Sequence, residues 1–175
     1  MLSKPVLLAL AVGAALTAVP ALAEVTDLTG GVPKAARIID ALAPPEPAVR
    51  AKGIGAPKDL QVEERRIRLD IPFANNSAEL TGSARQTLAE LAAALTSPRL
   101  AGARIVIEGH ANRTGTADHN RWLTGERAAA VSRILYGGGV TAGRLSATGF
   151  GFDRPIPGTK PTDGRNRRVE IVAVP

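Results

Sequence analysis

The chemistry of this chain is concentrated in one polar run and two arginine-bearing stretches. The run is Glu108-Gly109-His110-Ala111-Asn112-Arg113-Thr114-Gly115, which closes the β-branched stretch Ile105-Val106-Ile107. Leu123-Thr124-Gly125-Glu126-Arg127-Ala128 follows, preceded by Asn120, and Asn166-Arg167-Arg168-Val169-Glu170-Ile171 lies near the end. A guanidinium is a planar fork of donors suited to a bidentate carboxylate contact, so Arg127 is a candidate grip for an anion. Asn120 and Arg127 lie eight and fifteen residues beyond Asn112, so a loop that folds back brings all three to one cleft. A loop running from a strand into a helix start also gathers free backbone N–H groups and a partial positive charge.

Catalysis is poorly supplied. There are two histidines and no cysteine, which leaves few nucleophile–base pairs. His110, His119, Asp118 and Glu108 reproduce no recognised zinc spacing. Gly149-Phe150-Gly151 lacks the strand–loop–helix setting of a nucleotide fingerprint. No enzyme activity, metal or cofactor is expected, and a peptidoglycan hydrolase lacks an evident acid/base pair.

The elements that must position these groups are legible as periodicities. Ile67, Leu69 and Ile71 alternate with Arg66, Arg68 and Asp70, the period of a half-buried strand that Pro72 ends. Ser83-x-x-Gln86 has the form of a capping box, and Leu88, Leu91, Ala92 and Leu95 follow at helical spacing up to Pro98. Arg104 to Glu108 reads as a second strand, broken at Gly109. A second helix is expected from about Thr116 to Tyr136, with Thr124-Gly125 as a place of interruption and Gly137-Gly138-Gly139 as its stop. Leu145 to Thr148, and Val169, Ile171 and Ala173 in alternation, supply two more strands. Helices on one face of a single sheet give an α+β, two-layer α/β sandwich. Aromatics make up 3% of the chain against 45% hydrophobic residues, so the core must be aliphatic.

With these motifs in this order, the stretch from about Arg65 to Val174 resembles the OmpA C-terminal-like domain, the OmpA/MotB/Pal family. The resemblance implies a βαβαββ order with a mixed sheet, and non-covalent binding of peptidoglycan through the diaminopimelate of the stem peptide. In that family an acidic residue holds the diaminopimelate ammonium and an arginine fork its carboxylate. Arg127 matches the family arginine and Asn120 the asparagine before it. Gly109 and Gly115 match loop glycines, where a β-carbon would obstruct the turn. Asn166 and Arg167 fit the Asn-Arg-Arg motif that borders the cleft and also braces the last strand. One departure stands out: Asn112 occupies the aspartate position. An amide oxygen still accepts from an ammonium, but exchanging a charged for a neutral hydrogen bond weakens the grip about tenfold. The competing readings make Arg127 a surface partner of Glu126, Asp118 or Glu108, and Asn112 a turn residue.

Upstream, Lys4, the apolar run Pro5 to Val19 and Ala21-Leu22-Ala23 read as a secretory signal peptide over 1–23, with Glu24 the first mature residue. The apolar run is shorter than the ~20 residues of a membrane span and is followed by Pro20. Removing Lys4 takes the formal net charge from +6 to +5. A basic chain suits anionic partners, and export argues for a wall polymer over nucleic acid. Without cysteine there is no disulfide and no lipidated N-terminal Cys of the Pal type. A periplasmic protein follows, at most peripheral to the outer membrane, with no integral membrane segment. Residues 24–61, rich in Pro, Ala and Gly, read as a linker leading to a domain over 62–175. Within the linker, Lys34 to Leu42 predicts a short helix with an Ile38, Ile39, Leu42 stripe. That stripe docks on the domain or on an envelope protein partner. The second possibility is the alternative function: an interaction module that has lost wall binding.

Overall fold

The computed structural model describes residues 25–45 and 64–174. The leader expected over 1–23 and the linker segment 46–63 lie outside the described residues.

Five strands and three α-helices alternate along the chain: β1 Val25–Asp27, α1 Ala35–Leu42, β2 Arg65–Leu69, α2 Gly82–Leu95, β3 Arg104–His110, α3 Ala117–Gly137, β4 Leu145–Gly149 and β5 Arg168–Val174. From β2 onward this is the βαβαββ order. The sheet order is β1-β2-β5-β3-β4. β1 runs parallel to β2 and β3 parallel to β4, while β5 is antiparallel to both β2 and β3, so the sheet is mixed. The last strand is thus inserted between β2 and β3. Its start, at Arg168 and Val169, lies beside the ends of those two strands, with Val169 paired to Leu69 and Arg168 to His110.

Strand alternation separates two environments. Ile67, Leu69, Ile105, Ile107, Ile171 and Ala173 face the helices and form the core with Leu88, Leu91, Leu95, Val131 and Leu135. Arg66, Glu108, His110, Arg168 and Glu170 share the opposite face.

The helices begin where hydroxyls meet open backbone amides. Thr116 Oγ1 accepts from His119 N at the start of α3. α2 is capped by Thr81, whose Oγ1 accepts from Ala84 N, and not by the Ser83 of the expected capping box. Thr81 is extended while Gly82 is already helical, so the capping geometry falls two residues earlier. The expected break at Thr124-Gly125 is absent and α3 is continuous. The close approach of helix and β4 rests on Gly149: a β-carbon there would lie 2.3 Å from Gly125 N and 2.6 Å from Arg121 O, whereas one on Gly125 would meet nothing. The Thr124 hydroxyl donates to Asn120 O and accepts from Gly151 N, fastening helix to strand end.

The described part of the expected linker, residues 25–45, belongs to the fold. β1 extends the sheet, and Ile38 and Leu42 of α1 are fully buried against α2 and β2. Two contacts outside the core hold the helix: Ala35 N donates to Glu90 Oε2 at 2.8 Å, and Arg99 pairs with Asp40. Prolines excluded a long element here but not a short one, since Pro33 precedes α1 and Pro44-Pro45 follow it. A strand of three residues is too short to show a period.

Candidate functional site

At the end of the sheet where β2 and β3 finish and β5 begins, a cleft of about 710 Å³ opens. Its walls come from four places: the β1 turn (Asp27, Thr29, Gly30), the segment Arg68 to Asn75, Arg127 of α3, and the stretch before β5 (Ile156, Gly164, Arg165, Arg167, Arg168). A smaller recess continues beneath it past Phe73, Arg127 and Arg167 to Gly109 and His110.

Arg127 is the organising side chain. Its Nε donates to Ser77 O at 2.9 Å, and its guanidinium lies over the Phe73 ring at 5.0 Å. The β2–α2 loop therefore serves as a shelf that fixes the stem and leaves the rest of the fork for the cleft. Burial, with the positive charge of Arg167 nearby, lowers its affinity for its proton. None of Glu126, Asp118 or Glu108 pairs with it, and among the described residues it has no carboxylate partner. Arg167, exposed, likewise makes no side-chain hydrogen bond or ion pair there. Two guanidiniums in one cleft without counter-charges make a receptor for anions.

The other arginines of the lining are spoken for. Arg68 pairs with Asp27 at 2.9 Å, Arg165 with Asp163 at 2.8 Å, and Arg168 donates from Nε to Glu170 Oε1 at 2.6 Å. Behind them, Arg66 bridges Glu108 and Glu170, while His110 Nε2 stands 3.6 Å from Glu108 Oε2. Burial on its own would raise the Glu108 pKa, but His110 and Arg66 hold it down at about 2. Both ring nitrogens of His110 lack a hydrogen bond among the described residues, and the ring stacks on Phe150, 5.5 Å between centroids. Burial lowers its pKa below the ordinary 6.5, which favours the neutral ring. Glu108, His110 and Glu170 converge closely enough to hold a metal ion, yet Arg66 and Arg168 already supply the positive charge those carboxylates need.

The remaining residues singled out in the sequence serve the loops around the cleft. Asn112 is buried, its Nδ2 donates to Thr162 O at 3.0 Å, and it is not among the residues lining either recess. Asn120 donates from Nδ2 to Thr114 O and Thr116 O, closing the β3–α3 loop. Asn166, fully buried, accepts from Ile156 N at 2.8 Å and donates to Lys160 O at 2.9 Å, bracing the approach to β5. Gly115 has φ +84°, where a side chain would be strained. Gly109 is required for packing: its β-carbon would lie 2.2 Å from Thr124 O. The start of α3 does not line the cleft either. Arg127 lies ten residues beyond the start of α3, about 15 Å along it at 1.5 Å per residue.

Sequence reasoning missed Asp27, Asp70 and Phe73 of the cleft wall, and Ser77, whose carbonyl holds Arg127. One signal was available, since Phe73 is one of only three phenylalanines in an aromatic-poor chain.

The OmpA family model matches residues 72–168, more than half of the chain. The chain belongs to the OmpA family. Outer membrane protein Omp38 of Acinetobacter baumannii is 35% identical over 152 residues, covering 85% of this chain and 41% of that protein. The chain therefore spans under half the length of that relative. Among solved structures, a putative MotB like protein from Desulfovibrio vulgaris aligns with TM-score 0.54 and 30% identity, over 63% of this chain and 72% of the other. The peptidoglycan-associated lipoprotein from Burkholderia pseudomallei aligns with TM-score 0.52 and 28% identity, over 59% and 87% respectively. The family match begins at residue 72, so Asp27, Thr29, Gly30 and Asp70 of the lining lie before the matched residues. No helix among the described residues is long and apolar enough to cross a membrane.

Proposed function

We propose that this OmpA-family domain binds peptidoglycan non-covalently, through the diaminopimelate of the stem peptide, and so tethers or spaces the cell envelope from the periplasm. It acts as a binding module and not as an enzyme. The observation that carries the reading is Arg127: a guanidinium positioned by Ser77 O and Phe73 in an open cleft, with no carboxylate among the described residues to neutralise it. Arg127 takes the diaminopimelate carboxylate as a fork, Arg167 adds a second positive charge, and Asn112, Asn120 and Asn166 hold the loops that frame them. The kinship with a protein named as peptidoglycan-associated supports the choice of ligand. The alternative, a protein-docking module acting through Ile38–Leu42 and the linker, loses its apolar stripe, because Ile38 and Leu42 are buried in this domain's own core and Ile39 packs against it.

The test is co-sedimentation with purified sacculi. The mature chain should pellet with them and be released by free stem peptide. A chain that stays in the supernatant at low salt refutes the reading.

A further inference from the structure

The amide at position 112 leaves a zwitterionic ligand without its usual acidic contact, and the cleft contains a replacement. We propose that Asp70 is the residue that holds the ligand's ammonium; this rests on the wall-binding reading. Two carboxylates line the cleft, Asp27 and Asp70. Asp27 is committed: it pairs with Arg68 and accepts from both the backbone N and the hydroxyl of Thr29. Asp70 is exposed, lines the cleft, and has no hydrogen bond or ion pair among the described residues.

Its placement relative to Arg127 suits one ligand touching both. Asp70 is three residues before Phe73, and three residues of extended chain reach at most about 10 Å. Arg127 sits over the Phe73 ring. Asp70 and Arg127 both line the cleft, with Phe73 three residues beyond the acid and beneath the guanidinium. An ammonium near Asp70 and a carboxylate near Arg127 would each meet a counter-charge that the fold has left unpaired. Asn112 offers no such contact, because its amide is committed to Thr162 O outside this lining. Opposite charges at such a site contribute a charge-assisted hydrogen bond where an amide contributes a neutral one.

The experiment uses the mature chain and two soluble probes. One is the tripeptide L-Ala-γ-D-Glu-meso-diaminopimelate, the other the same peptide acetylated on the side-chain amine of the diaminopimelate. Calorimetry on the wild type should show about tenfold weaker binding after acetylation. Asp70→Asn should bind the free amine about tenfold more weakly than wild type and should no longer discriminate between the probes. Because Asp70 is exposed and unpaired, its replacement leaves the melting temperature unchanged. Asp27→Asn should keep the discrimination. An Asp70→Asn variant that still discriminates as wild type does, or a wild type that binds both probes equally well, overturns the role of Asp70 and leaves wall binding standing. A wild type that binds neither probe refutes the wall reading itself.

Discussion

Replacing Arg127 by Gln separates the ligand-binding contribution of this side chain from its contribution to the fold. In the fold it makes one hydrogen bond, to Ser77 O, and one cation–π contact, with Phe73. Losing the first costs about 0.5–1.5 kcal/mol and the second about 0.5–1 kcal/mol. Relief of the repulsion from Arg167 offsets part of this, and no buried carboxylate is orphaned. A net loss near 1 kcal/mol lowers Tm by about 5 °C for a domain of this size. Binding is a different matter. A fork on a carboxylate supplies two charged hydrogen bonds in a partly buried setting, so truncating it costs about 2–4 kcal/mol. Affinity for the stem tripeptide should fall about 30-fold to several hundred-fold. Arg127→Lys, which keeps the charge but loses the fork, should fall in between. Calorimetry with the tripeptide, paired with thermal melts, measures both quantities on the same samples. Unchanged affinity in Arg127→Gln, or a Tm drop beyond about 15 °C, would refute the division of roles.

Three further outcomes are expected. Leu42→Ala, which empties a fully buried site under α1, should cost about 2–5 kcal/mol in urea unfolding; a cost under 0.5 kcal/mol would show that α1 is not part of the cooperative unit. Gly149→Ala drives a β-carbon into the backbone of α3 at Gly125 and should destabilise by about 3 kcal/mol or more, which a wild-type melting curve would contradict. Stability should also fall in acid in two stages. The folded pKa of His110 lies below its ordinary 6.5, so below about that pH the unfolded chain takes up the proton first and the fold loses ground. Glu108 is held at about 2 against an ordinary 4.5, so its contribution is present above about 4.5 and disappears as pH falls toward 2. Urea midpoints from pH 8 to pH 3 measure this; His110→Gln should abolish the first stage and, by removing one of the groups that hold Glu108 down, move the second to higher pH.

Much of the domain was legible as periodicity. Alternation in Arg66 to Ile71 and Val169 to Val174, and the helical spacing of Leu88, Leu91 and Leu95, depend only on which face of an element meets the core. The motif around Arg127 was legible for a similar reason: a guanidinium's chemistry belongs to the side chain, and its order along the chain survives without coordinates. What no local pattern carries is which segments meet. Insertion of β5 between β2 and β3 is a long-range pairing, and it alone sets Arg167 beside Arg127. Sequence spacing likewise suggested that Asn112 shared a cleft with Arg127, whereas its amide was claimed by Thr162 O, fifty residues on. Gly125 looked like a helix breaker because a glycine's local cost is visible in sequence; that the helix stays continuous there, with Gly149 packed against its backbone, is not. The same holds for Asp70. Its charge was plain in the sequence, but its lack of a partner is a property of the folded surroundings, set by neighbours that only the tertiary structure brings near.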